Sequence, residues 1–335
     1  AGSANVSVDA IDIVGDLIED DLAPATVSDI DPAWQTGPVP VTLTASDGVL
    51  SGVDQTYYRI DGGADTTYTG TFDVSGDGTH TVEYWSVDNV GNVEAANSED
   101  LHIDDTAPVT TDDAVSSYVE TATITLSATD PLSGVATTHY RLDGGAWTTG
   151  TVFVTTEIGD HTLEYRSTDM VGNVEDANSV DFAVADRRDD TDTFLYYDDD
   201  WAETSGAEHY AGTLHYSGTA SATVAFRFAG TGFDWIAYTA PPYGIAEVSI
   251  DGSAPVTVDL YSASWSGYQS NVYSIRDLAD TTHTVTITRA GSANVSVDAI
   301  DIVGDLIEDD LAPATVSDID PAWQTGPVPV TLTAS

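Results

Sequence analysis

The chain contains no cysteine and no lysine among its 335 residues. Without cysteine no disulfide can close the fold, and without lysine no Lys–Asn isopeptide cross-link can form. Basic residues are scarce: eight arginines stand against 56 aspartates and glutamates, a formal charge of −48. Nucleic acid is therefore not an expected partner, because a polyanion needs a basic footprint. No apolar run approaches the ~18 residues of a spanning helix, so no membrane span is expected. Also missing are Gly-x-Ser-x-Gly, His-Glu-x-x-His and a phosphate loop. Carboxylates are so abundant that choosing a glycosidase pair among them would be arbitrary. On these grounds no catalytic residues are assigned, and the chain is not expected to be an enzyme. Stability has to come from packed β-cores, from neighbour contacts and from metal ions. The acidity suits an extracellular or cell-surface protein kept soluble by self-repulsion and screened by salt or by calcium.

What is present is repetition. Residues Ala1 to Ser46 recur without a difference as Ala290 to Ser335, an offset of 289 residues. A match of that length marks a tandem repeat seen for slightly more than one period. The expected partners are therefore further copies of the same unit, joined along a fibre by a peptide bond or by an exchanged strand. Within the unit, Val, Thr, Ile and Tyr alternate with polar residues in short runs separated by Gly, Asp and Asn. That pattern is β throughout.

Two segments inside the unit also repeat each other. Tyr58-Arg59-Ile60-Asp61-Gly62-Gly63 matches Tyr140-Arg141-Leu142-Asp143-Gly144-Gly145. Val41 to Asp47 matches Ile124 to Asp130, Ser51-Gly52-Val53 matches Ser133-Gly134-Val135, and His80 to Glu94 matches His161 to Glu175. Alternation sends Val82, Tyr84 and Ser86, and likewise Leu163, Tyr165 and Ser167, into a core, with Glu83 and Glu164 outward. The Asp-Gly-Gly triplets read as hairpin turns. His80 and His161 occupy equivalent strand positions and are read as structural. The pattern YRLDGG, HTLEYRSTD and VGN resembles bacterial immunoglobulin-like surface repeats of fibronectin type III flavour, which implies a sandwich and a spacer role.

The remainder is larger and richer in aromatics. TGFDWIAYTAPPYGIAEVSIDG, VDLYS and HTVTIT resemble jelly-roll modules of the carbohydrate-binding type. The resemblance implies that the first and last strands pair, setting Thr193–Tyr197 against Val295–Val303. A phase slip at Asp298–Ala299 predicts a β-bulge there.

The fold expected is all-β: two immunoglobulin-like sandwiches followed by a larger jelly-roll sandwich. Residues 1–16 read as the final strand of a preceding jelly roll. Residues 22–104 and 105–186 are the two sandwiches, 190–304 the jelly roll, and 311–335 the start of the next unit. Carboxylate and amide oxygens suit a hard cation, so structural calcium is the expected cofactor. Its candidate ligands at the joints are Asp20, Asp21, Asp88, Asn92, Asp104, Asp105, Asp169 and Asn173. In the jelly roll, Asp198, Asp199, Asp200 and Asp298 would meet if the terminal strands pair. Asp and Asn also favour turns for their own reasons. Trp201, Tyr243, Trp265 and Tyr268 are candidates for stacking on polysaccharide or for contact between neighbouring copies. The function expected is the structural repeat unit of an extracellular filament, stalk or sheath. The alternative is an adhesin or glycan-binding surface protein, and a further one is the accessory part of a secreted hydrolase.

Overall fold

The computed structural model describes residues 19–48, 51–198 and 200–308, with the backbone of the strands Thr315–Ser317 and Leu332–Ala334. The assignment of residues 1–16 to a preceding jelly roll lies outside these. The regular structure of the described residues is almost wholly β, gathered into sandwich-like sheets around separate hydrophobic cores.

In the first region the strands Val53–Ile60, Gly78–Asp88 and Asn97–Ile103 form one sheet, with Trp34–Gln35 and Thr66–Thr67 at its edges. Val39–Val41 with Phe72–Val74, and Ala25–Ser28 with Leu43–Ser46, make two smaller paired elements. Alternation explains the burial. Val82, Tyr84 and Ser86 are buried, while Glu83 turns outward and takes two 2.7 Å bonds from Arg59. Ser86 is satisfied inside the core by Thr26 and Thr56, both at 2.7 Å. Full burial of each large apolar side chain is worth roughly 1.5–3 kcal/mol.

The second region repeats this with Val135–Leu142, Gly159–Asp169 and Asn178–Asp189. Arg141 pairs with Glu164, and Ser167 with Thr110 and Thr138, as in the first region.

The Asp-Gly-Gly turns use left-handed backbone at two successive residues, Asp61 and Gly62 (φ 50° and 69°) and Asp143 and Gly144 (48° and 70°). Asp tolerates that region through local hydrogen bonding, and each turn aspartate is used further. His80 Nδ1 lies 2.8 Å from Asp61, and the other ring nitrogen 2.9 Å from the Gly76 carbonyl. His161 does the same with Asp143 and Glu157, both at 2.9 Å. A third clamp occurs in the aromatic-rich region, where His283 bridges Asp251 (2.7 Å) and the Ala279 carbonyl (2.8 Å).

That region is built on the strand Thr223–Thr239, which pairs with Thr281–Arg289, Gly267–Ile275 and Ala299–Ile307. Its core holds Trp235, Phe226, Phe228 and Phe233. A smaller sheet joins Ala202–Ser205, Thr213–Ser217 and Val295–Val297. The expected pairing of Thr193–Tyr197 with Val295–Val303 is not what forms. Tyr196–Tyr197 pairs with Val224–Ala225, while Ala299–Ile302 pairs with Asp186–Asp189, the end of the strand Asn178–Asp189. The reason is edge occupancy. The other side of Ala299–Ile302 is already taken by Phe233–Ile236, so no edge remains for Thr193–Tyr197. The interruption expected at Asp298 is present as the break between Val295–Val297 and Ala299–Ile307. Arg187 seals the Asp186–Asp189 pairing with two 2.6 Å bonds to the buried Asp301. No helix among the described residues is long and apolar enough to cross a membrane.

Candidate functional site: twin carboxylate trios and an aromatic loop

Two equivalent trios of carboxylates form in the first and second regions. Asp20, Asp47 and Asp88 offer ligand oxygens all within 4.8 Å of one another, and so do Asp104, Asp130 and Asp169. Backbone N–H groups aim them. Asp20 accepts from Ser51 N (3.0 Å), Asp47 from Gly52 N (2.7 Å), and Asp88 from Asn92 N (2.8 Å). In the second trio Asp104 accepts from Ser133 N (2.9 Å), Asp130 from Gly134 N (2.9 Å), and Asp169 from Asn173 N (2.8 Å).

Asn92 and Asn173 add the same two bonds in each copy. Asn92 Nδ2 donates to the Asp88 carboxylate and the Asp20 carbonyl, and Asn173 Nδ2 to the Asp169 carboxylate and the Asp104 carbonyl. Burial pushes the Asp88 carboxyl up, but donors from Asn92, Ser51 and Val90 outweigh it and hold the group below its ordinary range. Among the described residues no arginine makes an ion pair with any of the six carboxylates. In the second trio Asp130 Oδ2 and the neighbouring Ser133 Oγ are buried without a hydrogen-bond partner.

Six of the eight joint candidates thus come together, and two do not. Asp21 is exposed, and Asp105 accepts instead from Gly37 N at 2.8 Å. Asp47 and Asp130 were not singled out from the sequence, although each stands four or three residues before an equivalent Ser-Gly-Val, and the repeat aligns them.

The proposed meeting of Asp198, Asp200 and Asp298 is corrected. Asp198 accepts from Thr223 N (2.6 Å), and Asp200 N donates back to Asp198 (3.2 Å). Asp298 is fully buried elsewhere, beside His209 (3.2 Å) and Tyr210 N (2.7 Å). The cause is the strand pairing described above. Asp199 lies outside the described residues.

The four aromatic candidates divide. Tyr243 is buried against Tyr238, and the half-buried Trp201 donates Nε1–H to the Thr223 carbonyl at 2.8 Å. Both fill the core. Trp265 and Tyr268 face solvent at 63% and 38% exposure, joined by Tyr261 at 59%. Their loop follows the buried Leu260 and is folded by serine hydroxyls, with Ser262 and Ser264 each accepting a backbone N–H at 3.2 Å. It enters the strand Gly267–Ile275 at a glycine whose Cβ would lie 2.0 Å from Thr239 Oγ1. Tyr268 stacks face to face on Tyr238, centroids 4.5 Å apart and planes 8° from parallel. The Tyr238 hydroxyl donates to the Trp265 carbonyl at 2.8 Å. Burial, then the Tyr268 hydroxyl, pushes the Tyr238 phenol up to about 12.

No protein-family model matches this chain. It is 32% identical over 99 residues to an A type blood α-D-galactosamine galactosaminidase of Flavonifractor plautii, across 30% of this chain and 9% of that enzyme. The chain thus matches less than a tenth of that relative. The expectation that this chain stands apart from enzymes is corrected by the match, because the relative is an enzyme. Among solved structures, a family 35 carbohydrate-binding module of Cellvibrio japonicus Abf62 gives a TM-score of 0.32 at 14% identity, covering 38% of this chain and 99% of the module. Fibronectin(III)-like modules of Clostridium thermocellum CbhA give 0.26 at 13% identity, covering 48% and 95%.

Proposed function

We propose that this chain is a glycan-binding β-sandwich assembly of the cell exterior, and that the polypeptide it belongs to acts on or adheres to sugars of the galactose and galactosamine type. The observation that carries the reading is the loop 261–268, which presents Tyr261, Trp265 and Tyr268 outward while Tyr238 supports it from below. Flat rings free on one face suit the C–H face of a pyranose, and the serine hydroxyls around them suit its hydroxyls. The 99-residue likeness to an enzyme of galactosamine chemistry supports the choice of sugar class. The full chain should bind galactose- or galactosamine-terminated glycans on an array, and Trp265→Ala should weaken that binding at least tenfold with an unchanged melting temperature. Equal binding by the variant would sink the proposal.

The carboxylate trios belong to the same reading as calcium sites that stiffen the array. The donor set fits a hard cation: oxygen ligands at close range, Asp88, Asp104 and Asp169 buried, and a free Asp130 Oδ2. Asp20, Asp47 and Asp88 would hold one ion and Asp104, Asp130 and Asp169 the other, each ion neutralising carboxylates that otherwise repel. Chelation is expected to lower the melting temperature by several degrees and calcium to restore it. An identical melt with and without chelator counts against the sites.

A second reading, the structural unit of a filament, stands on the 46-residue identity at a 289-residue offset. It carries with it the division into sandwiches at 22–104, 105–186 and 190–304. Three such bodies placed end to end would give a fibre an axial repeat of roughly 100–130 Å. A much shorter repeat in electron micrographs would refute the extended arrangement.

A further inference from the structure

We infer that His209 is a positioning residue that holds the Trp265–Tyr268 loop in shape by tying it to the buried Asp298. His209 is 8% exposed and precedes the tight turn Tyr210–Gly212. A backbone bond from Gly206 N to the Gly212 carbonyl (3.0 Å) closes that segment. Its Nδ1 lies 3.2 Å from Asp298 Oδ2, and the next residue's N–H donates to Asp298 Oδ1 at 2.7 Å. Asp298 is fixed in turn, since its own N–H donates to the Ile236 carbonyl at 2.9 Å.

The same imidazole packs against Tyr268 of the aromatic loop and against Tyr238 beneath it. Its ring meets Tyr268 (5.5 Å, 72°) and Tyr238 (5.8 Å, 77°) in T-shaped contacts, the two tyrosine rings being stacked on each other. T-shaped packing of this kind is favoured by the ring quadrupoles beyond the area it buries. Glu208, the residue before the histidine, takes a 3.0 Å bond on its carbonyl from Gln269 Nε2.

A second, separate sign marks the same place. Gln269 sits in the left-handed region at φ 47°. That conformation strains a non-glycine residue and persists only where surroundings over-determine it. Here the surroundings are the Glu208 carbonyl bound to Gln269 itself, and His209 and Tyr238 packed on the adjacent Tyr268. The histidine therefore does two jobs at once. It gives a buried carboxylate a donor, and it supplies the wall against which Tyr268 stops. A loop held this way is ordered before ligand arrives, which lowers the entropy cost of binding.

The consequence for affinity rests on the glycan reading above; the ordering of the loop does not. His209→Asn keeps a donor near Asp298 and removes the ring. His209→Ala removes both. Deuterium uptake of segment 264–270 in the full chain, read by mass spectrometry, should rise several-fold in both variants, with the carboxylate trios unaffected. The melting temperature should fall clearly for His209→Ala and little for His209→Asn. Affinity for a galactose-terminated glycan should drop about tenfold in His209→Asn, which is 1.4 kcal/mol. Wild-type uptake at 264–270 in His209→Asn would overturn the inference, and this variant decides alone if His209→Ala does not fold. Raised uptake combined with no glycan binding by the wild type would leave the positioning role standing and remove the glycan reading instead.

Discussion

Gly304→Ala should be among the most damaging single methyls at the described residues. Gly304 lies opposite Gly230 where Thr223–Thr239 and Ala299–Ile307 pair, and the register shifts one step later between Gly230 and Gly232. A Cβ on Gly304 would sit 2.0 Å from the Ala229 carbonyl oxygen and 2.7 Å from Gly230 Cα, both backbone atoms that cannot rotate away. The residue also stands at φ 135°, a region nearly closed to L side chains. Strain of about 1–3 kcal/mol and overpacking of about 1–3 kcal/mol act together, so a loss of about 3–5 kcal/mol is expected. For a body of about a hundred residues that is a fall in melting temperature of roughly 15–25 °C. Gly252→Ala separates the two causes, because Gly252 has φ 68° but nothing within 4 Å of its would-be Cβ. It should cost only about 1 kcal/mol. Calorimetry on both variants checks this, and a shift below about 5 °C for Gly304→Ala would show that the two strands can part without loss. The stake is functional as well as structural. The strand carrying Gly304 begins beside Asp298, so its displacement would reach His209 and the aromatic loop.

Much of this architecture could be read from residues alone. Period-two alternation placed Val82, Tyr84 and Ser86 inward, and the Asp-Gly-Gly triplets placed two turns. Internal repetition said that whatever one region builds, the other builds again, as Arg59–Glu83 and Arg141–Glu164 show. What could not be read was partnership across long separations. Ala299–Ile302 looked like a closing strand, but nothing in its composition says that its neighbour is Asp186–Asp189. The third histidine clamp was hidden for the same reason. Asp and His stand 19 and 18 residues apart in the first two clamps but 32 in the third, so no common spacing links them. Aromatic content also fails to say which ring faces out. Tyr243 and Trp265 belong to the same region, yet Tyr243 is buried while Trp265, in a run of serine and glycine, is open.

The three clamps lead to a second large effect, a stability that declines from mildly acidic to mildly alkaline pH. In His80, hydrogen bonding to Asp61 and to the Gly76 carbonyl raises the imidazole above its ordinary 6.5. In His161 and His283 burial pulls the other way, but the bonds to Asp143 and Glu157, and to Asp251 and Ala279, outweigh it and the net shift is upward. A raised folded value means the native state binds a proton more tightly than the unfolded chain. The contribution is therefore complete below 6.5 and lost as pH climbs through the folded values. The aspartates work at the other end. The bonds from His80 and His283 hold Asp61 and Asp251 below 3.8, so their contribution is present above that value and fades in stronger acid.

The buried carboxylates near the Asp186–Asp189 pairing tilt the middle of the profile. Burial pushes Asp190 up to about 6 against the bonds from His215 and Thr213, and it raises Asp298 and Asp301 as well. These groups favour the folded state while protonated, so their contribution falls as pH rises above about 4, for Asp190 up to about 6. The turn aspartates of the clamps are about half exposed, at 51%, 48% and 49%. Each clamp is accordingly held to a few tenths of a kcal/mol up to about 1 kcal/mol. The three together supply roughly 1–3 kcal/mol below about pH 6.5, and this is lost as pH rises above that value.

Melting temperature should thus peak near pH 4 and fall in two limbs, one below about pH 6 from the buried carboxylates and one above it from the histidines. The variant His80→Asn/His161→Asn/His283→Asn should flatten the upper limb and leave the lower one. General repulsion among the acidic residues cannot imitate that result, because nearly all of them are already ionised above pH 6. An upper limb unchanged in the triple variant would mean that the clamps hold their turns by geometry alone and carry no charge into folding.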